Sequence, residues 1–372
     1  MPEPIGTPRT GFASLYLKCG IGNAIQRLTG LTGLTRPRNR WRWYQALEEL
    51  DIMKAAVANE PGNEEVLQYQ EAPDPACGDG QVRIRVRAAA INRGDLGRRA
   101  GRSAGAQLSW PLIIGWDIAG EIESVGSGVA DRKVGDRVVA LIPQGGYAEL
   151  ATAPAGDTVP LPDNVSFDEG AALPVAYLTA RYALLWRAGL QAGETVLIQA
   201  GASGVGVGAI QMAKNQGATV ITTAGSGEKV EFCKGLGADH VINYRDQDFA
   251  QEVRRITNDA GVDVVLESVG GETLAKSMDV LGQFGRLVSV GNTVRETATM
   301  DVTAFLAKRC HLEGFSLLVQ DDIPAELADL VQEVSDGSIK AVIDKVFPLS
   351  EAAEAHRYVA ERRNMGKVIL RP

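Results

Sequence analysis

VLIQAGASGVGVGAIQMAK, residues 196–214, passes from an apolar run through glycines into a helical pattern. Residues 195–199 read as a buried strand and 204–216 as a helix. Between them Gly201-Ala202-Ser203-Gly204-Val205-Gly206 fits G-x-G-x-x-G with Ser203 at the middle glycine. That spacing meets three needs at once: a tight turn, close approach of backbone to a pyrophosphate, and close packing of helix on strand. The helix start also offers unbonded N–H groups and a positive dipole end to phosphates. A glycine turn that only packs a helix on a sheet would look similar, so the surrounding pattern must decide.

That pattern is regular. ATVITT (218–223), HVINY (240–244), VDVVLESV (262–269) and RLVSV (286–290) read as strands. Helices at 228–236, 246–258 and 272–281 separate them, the second with Phe249, Val253 and Ile256 on one side. Continuous apolar strands are what a parallel sheet covered on both faces requires. The alternation predicts a doubly wound dinucleotide-binding domain.

Which dinucleotide it takes is read at the end of the second strand. An NAD site carries an acid there, bonded to the ribose 2′-hydroxyl. Here the strand runs into Ala224-Gly225-Ser226-Gly227-Glu228-Lys229. The acid position is empty of carboxylate, Ser226 can donate a hydrogen bond and Lys229 brings positive charge, so the expectation is NADPH. Glu228 would serve NAD if it turned inward.

Upstream, residues 53–165 read mostly as β. In QVRIRVRAAA, Val82, Ile84 and Val86 alternate with Arg83, Arg85 and Arg87, the wet face of a half-buried strand. DIAGEIESVG and DRVVALIP follow between turn signals, a spacing that suggests a barrel or curled sheet. At Ser166 the texture changes: SFDEGAAL is a capped helix start, and 174–188 continue as helix. Beyond 314 the chain is mixed, with helices near 324–336 and 350–362 and a final strand KVILR.

The chain has 372 residues, a net charge of −8, 45% hydrophobic and 23% charged residues, the profile of an ordinary globular enzyme rather than a nucleic-acid binder. Four scattered cysteines give no disulfide framework and suit a reducing, cytoplasmic setting. No apolar run is long enough to span a bilayer. Residues 1–52 differ: seven Arg and Lys face only Glu3 before residue 48, and RPRNRWRW is basic and aromatic. An organelle transit segment, an acidic-surface patch and a dispensable extension are the three readings, the last preferred.

GASGVG, AGSGEK, GADHVINYRDQDF, GRLVSVG and closing GKVIL, in that order after a β-rich part, resemble the medium-chain dehydrogenase/reductase superfamily. The zinc-independent NADPH:quinone oxidoreductase branch is the nearest likeness, over residues 53–372. The resemblance implies an α/β fold: a GroES-like β-rich catalytic domain (53–175 and 315–372) with a Rossmann doubly wound parallel-sheet domain (176–314) between, as a homodimer. It further implies Tyr244 against the adenosine 2′-phosphate, Thr179 at the nicotinamide amide, and Val290-Gly291-Asn292 and Phe315-Ser316-Leu317 as its walls. By the same resemblance Ser268 is expected alongside the cofactor, and Lys367 matches a position that often touches it in relatives, a surface lysine being the equal alternative.

Zinc-dependent relatives would place a cysteine near Asn92 and a histidine at Trp116, and the structural four-cysteine lobe is missing too. With neither ligand present, no metal is expected. Without a Lewis acid, hydride transfer suits acceptors already electrophilic, quinones and α,β-unsaturated carbonyls. Asn92 is the expected nearest side chain to the reacting centre, and Tyr147 or Tyr177 the hydrogen-bond or proton donor. Asp95 is expected to cap the helix at GDLGRR. Several relatives carry a tyrosine five residues after the asparagine. Gly97 stands here, followed by Arg98 and Arg99, which would make the pocket cationic if they turned inward and otherwise lie on a solvent face. Two rival functions are a non-catalytic NADPH-binding redox sensor and a zinc-free NADP-dependent alcohol dehydrogenase.

Overall fold

A computed structural model describes residues 51–102, 108–320 and 322–372. The readings of the basic extension therefore fall, up to residue 50, outside the described residues. The first strand already begins at Ile52.

Eight strands come first: β1 (Ile52–Ala58), β2 (Leu67–Pro73), β3 (Gln81–Ile91), β4 (Leu112–Ile113), β5 (Asp117–Val125), β6 (Arg137–Leu141), β7 (Leu150–Pro154) and β8 (Thr158–Pro160). A short helix, α1 (Arg93–Arg99), interrupts them after β3. β3 behaves as its alternation demands. Val82, Ile84 and Val86 are buried. Arg83 and Arg85 pair across the strand boundary with Glu123, and Arg87 with Glu121. The charged face is thus self-neutralised against β5.

α2 (Phe167–Ala172) starts at Ser166, whose Oγ accepts the Glu169 N–H while Glu169 accepts the Ser166 N–H. That reciprocal cap is the one the sequence spells. α3 (Pro174–Arg181) follows, but the helix read through 188 changes pitch. Residues 182–187 form a wider turn in which the Ala188 N–H donates to Ala183 O at 2.9 Å. A residue inserted into the regular ladder makes this kind of turn.

From there strands and helices alternate: β9 (Thr195–Ile198), α4 (Gly204–Asn215), β10 (Thr219–Ala224), α5 (Gly227–Gly235), β11 (His240–Asn243), α6 (Phe249–Ile256), β12 (Val262–Glu267), α7 (Gly271–Asp279), β13 (Leu281–Ser289), α8 (Val302–Lys308) and β14 (His311–Gly314). These six strands form one parallel sheet, ordered β11-β10-β9-β12-β13-β14. The order reverses beside β9, and ligands of such sheets bind in the crevice beyond the strand ends at that point. The fold is α/β, with this Rossmann-type sheet as one part.

α9 (Ile323–Ser335), β15 (Ile343–Pro348), α10 (Ala352–Ala360) and β16 (Lys367–Arg371) complete the chain. β16 pairs antiparallel with β3, so the last strand closes the seven-stranded sheet β15-β16-β3-β5-β6-β8, with β7 also on β3. β2-β1-β4 form a third, small sheet. One apolar core runs from the α2–α3 region to the parallel sheet, through Leu173, Leu178, Val196, Ile198 and Val264. Burial of this kind contributes roughly 25 cal/mol per Å², and here it fixes the two sheets on either side of one cleft. No helix among the described residues is long and apolar enough to cross a membrane.

Candidate active site

A cleft of about 1720 Å³ opens where the parallel sheet meets the β-rich part. A drug-sized ligand needs up to roughly 1,000 Å³, so a dinucleotide and a second molecule fit together. The glycine turn forms its floor. Ser203 caps α4, its Oγ accepting the Gly206 N–H at 3.0 Å. The N–H groups of Gly204 and Val205, which have no partner within the helix, are left to the cleft lined by both residues. Gly201 and Gly206 do not line it. They are required by packing: a Cβ on Gly206 would lie 2.5 Å from the carbonyl oxygens of Ala200 and Gly201, and one on Gly201 would strike Thr222.

At the end of β10 no carboxylate enters the cleft. Ala224, Gly225, Lys229 and Tyr244 line it, and Glu228 is exposed outside it. Ser226 Oγ accepts the Lys229 N–H and caps α5, which leaves its O–H to donate, but Ser226 is not among the residues lining the cleft. Lys229 does more than carry charge. Its Nζ donates to Arg362 O at 2.6 Å and to Asn364 O at 3.0 Å, bridging the cleft. Burial lowers its proton affinity, with Asp344 pulling the other way. The Tyr244 hydroxyl stands over Gly225, where a Cβ would meet it at 2.5 Å.

Ser268, Val290, Gly291 and Asn292 line the cleft from the ends of β12 and β13. Of the segment 315–317 the structure brings none into the lining. Phe315 stacks on Tyr182 and Leu317 is buried in the core, while Leu318, which the sequence reading passed over, faces the cleft. Thr179 is buried on α3 and is likewise outside the lining.

Asn92 lines the cleft with both ends of its amide engaged. Nδ2 donates to Asp117 Oδ2 at 2.8 Å, and Oδ1 accepts from Lys367 Nζ at 2.6 Å. Lys367 is 2% exposed, which removes the surface-lysine alternative. Its Cδ packs against Gly204, so it joins Asn92 to the glycine turn. Asp117 was not singled out in the sequence, although an acid inside the apolar run GWDIAG was a signal. Burial pushes its carboxyl up, and Lys367 and the Asn92 amide pull it back.

Three expectations need correction. Tyr147 is fully buried and not in the cleft wall; its hydroxyl donates to Asp95 Oδ2 at 3.0 Å and meets His356 Nε2 at 3.3 Å. Burial, and the Asp95 carboxylate next, hold that hydroxyl well above its ordinary range, and it does not reach the cleft. Tyr177, its rival, donates to Lys340 O at 2.9 Å and is also core. Asp95 does cap α1, from its first turn, accepting the N–H of the N-cap residue Asn92 at 2.8 Å. Arg98 and Arg99 do not share a solvent face: both line the cleft, and Arg99 is 6% exposed. Trp116, at the position of the zinc histidine, packs its ring on Gly94 in the same wall. Among the described residues no three His, Cys, Asp or Glu side chains cluster to hold a metal.

Two family models match: an alcohol dehydrogenase GroES-like domain over residues 78–163 and a zinc-binding dehydrogenase over 236–370. A 2-haloacrylate reductase of Burkholderia sp is 34% identical, over 86% of this chain and 99% of that protein. A quinone oxidoreductase of Rattus norvegicus is 34% identical, over 86% and 98%. The crystal structure of Escherichia coli quinone oxidoreductase complexed with NADPH superposes with a TM-score of 0.80 at 30% identity, covering 87% of this chain and all of that one.

Proposed function

The chain belongs to the medium-chain dehydrogenase/reductase superfamily, in its quinone oxidoreductase branch, and from that premise we propose that it is a metal-free NADPH-dependent reductase of quinones or α,β-unsaturated carbonyl compounds. One observation carries the reading. A capped glycine turn opens onto a cleft in which the residues just after β10 bring Lys229 and no carboxylate, with Tyr244 beside them.

The residues fit NADPH along the whole cleft. Gly204 and Val205 present N–H groups to the pyrophosphate, and Lys229 with Tyr244 receives the 2′-phosphate. Val290, Gly291 and Leu318 supply the apolar wall for the nicotinamide. Bound there, NADPH supplies the hydride. The protein's own work is positional: the Lys367–Asn92–Asp117 triangle locks the wall of the β-rich part, and Lys229 latches the two halves together.

The developing oxyanion needs a donor. Lys367 offers it, because its ammonium has three N–H bonds and the triangle uses two. Asn92 then acts by holding Lys367, and no buried tyrosine is needed. Relatives named for quinone and for 2-haloacrylate support an electron-poor C=C as the acceptor.

A homodimer is proposed as well. β14 is an edge strand of the parallel sheet among the described residues, and Val302, Leu306 and Leu312 beside it expose apolar surface. Light scattering at twice the chain mass supports it and a monomer mass removes it.

NADPH oxidation by p-benzoquinone and by cyclohexenone is the test of the activity. Turnover that persists in excess EDTA and is much weaker with NADH supports the reading. Loss of activity with the chelator, or equal use of NADH, overturns it.

A further inference from the structure

The cleft is more cationic than a dinucleotide requires. Nine lysine and arginine side chains line it against two carboxylates, Asp248 and Glu272, in a chain of net charge −8. NADPH carries about four negative charges, all on phosphate. Lys367 is paired with Asp117, Lys276 with Asp248 and Glu272, and Arg99 with Glu64. Lys229 serves the phosphate end. Arg93, Arg98, Arg102, Arg295 and Arg362 remain, and among the described residues none has a carboxylate within ion-pair distance. Arg295 faces Arg93 and Arg102, which feel its charge after the larger effect of their own burial.

Arg93 is held by Val359 O at 2.8 Å, and Arg98 is held within the cleft wall beside Trp116. Its guanidinium donates to Pro143 O and, at 3.4 Å, to Gln144 Oε1, and it lies 5.5 Å from the centre of the Trp116 ring. Its Nε is buried with no acceptor among the described residues, and so is Nε1 of Trp116, both beneath the cleft surface. The guanidinium meets the cleft through its Nη atoms, whose bonds to Pro143 and Gln144 are exposed, next to apolar Leu96. Each Nη keeps one further N–H, and an anionic oxygen is the acceptor that suits a guanidinium best.

We infer that the acceptor carries a carboxylate, bound by the Arg98 guanidinium beside the Trp116 ring. The outer arginines raise the local concentration of such an anion, and Arg98 orients it. This names the substrate class of the reductase proposed above and rests on that reading.

The test is a calorimetric titration of the purified protein, with and without NADP⁺, using β-benzoylpropionate and its neutral amide as probes. The acid is expected to bind about tenfold or more tightly than the amide, the gain of one charge-assisted hydrogen bond. Added salt should weaken the acid alone. Arg98→Gln should bring the two affinities together, and Arg98→Lys should keep part of the difference, since it keeps the charge and loses the fork.

An acid that binds no better than the amide overturns the inference, as does an unchanged preference in Arg98→Gln. Should that variant not fold, the wild-type ratio decides. NADPH oxidation by β-benzoylacrylate and by p-benzoquinone separates the two readings. Quinone turnover without acid preference removes only the carboxylate site. Acid preference with no NADPH oxidation by either acceptor removes the reductase.

Discussion

Lys367 Nζ donates to Asn92 Oδ1 at 2.6 Å, although 275 positions of sequence separate the two residues. The same ammonium lies 3.3 Å from Asp117 Oδ2, and all three side chains are at most 7% exposed. The triangle joins β16 to the start of α1 and to β5, and it forms one wall of the cleft. A buried pair of this kind is weak evidence of net stabilisation, but breaking it leaves a charge stranded.

Lys367→Met is therefore expected to lower unfolding stability by about 3–5 kcal/mol, read from the urea midpoint at constant slope. Asp117→Asn combined with Lys367→Met should recover most of that loss, because no charge is left unpaired. A single variant within about 1 kcal/mol of wild type would show that the pair is solvated rather than buried.

Lys229 is both a latch and a phosphate ligand in the proposed reading, and the two roles separate by experiment. Two of its N–H bonds go to Arg362 O and Asn364 O. The third is left for the 2′-phosphate. Lys229→Ala should weaken NADPH by about tenfold or more relative to NADH, the size of a hydrogen bond to a charged group. Fluorescence titration with both nucleotides measures it. An equal loss for NADPH and NADH would leave Lys229 only its latch.

Much of the fold was legible because its signals are local. Continuous apolar runs such as VDVVL and the cap of Ser166 on Glu169 need only neighbours in sequence. The glycine turn is readable for a like reason: the atoms that exclude a side chain at Gly206 belong to residues 200 and 201. The site was less legible because its contacts are distant. Tyr147 looked available until His356, 209 positions away, was placed against it. RGDLGRR shows no apolar stripe, so periodicity could not say which face of α1 turned inward. That face is set by Trp116, the residue just before β5, packed on Gly94. Asp117 was readable in principle, as a charge within apolar GWDIAG, but only its partners explain it.

Gly206 gives the sharpest packing prediction. A methyl group there meets two backbone carbonyl oxygens at 2.5 Å, and neither can swing away as a side-chain end could. Gly206→Ala should cost about 3 kcal/mol or more and weaken NADPH as α4 is pushed from the strand. Gly227→Ala, where a Cβ meets nothing within 4 Å, is the matched control. Thermal unfolding of the two variants checks the contrast, and equal melting points would show that the turn relaxes freely.

Asp95 and His356 flank the Tyr147 hydroxyl, and their proton affinities move in opposite senses from their ordinary values. Burial raises Asp95 to about 7, with the Asn92 N–H opposing and Asp117 adding to the rise. Burial and then the Arg99 charge lower His356 to about 3. Between pH 4 and pH 7 the folded protein holds a proton on Asp95 that the unfolded chain has released, so this group's stabilisation falls as pH rises. Between pH 3 and pH 6.5 the unfolded chain holds a proton on His356 that the folded protein refuses, so this group's contribution rises with pH. The two slopes offset each other. Asp95→Asn should therefore lose more stability than wild type on acidification from pH 7 to pH 4, and His356→Gln should lose less. Urea midpoints across that range measure both. Parallel profiles for the three proteins would mean that neither group titrates differently in the folded and unfolded states.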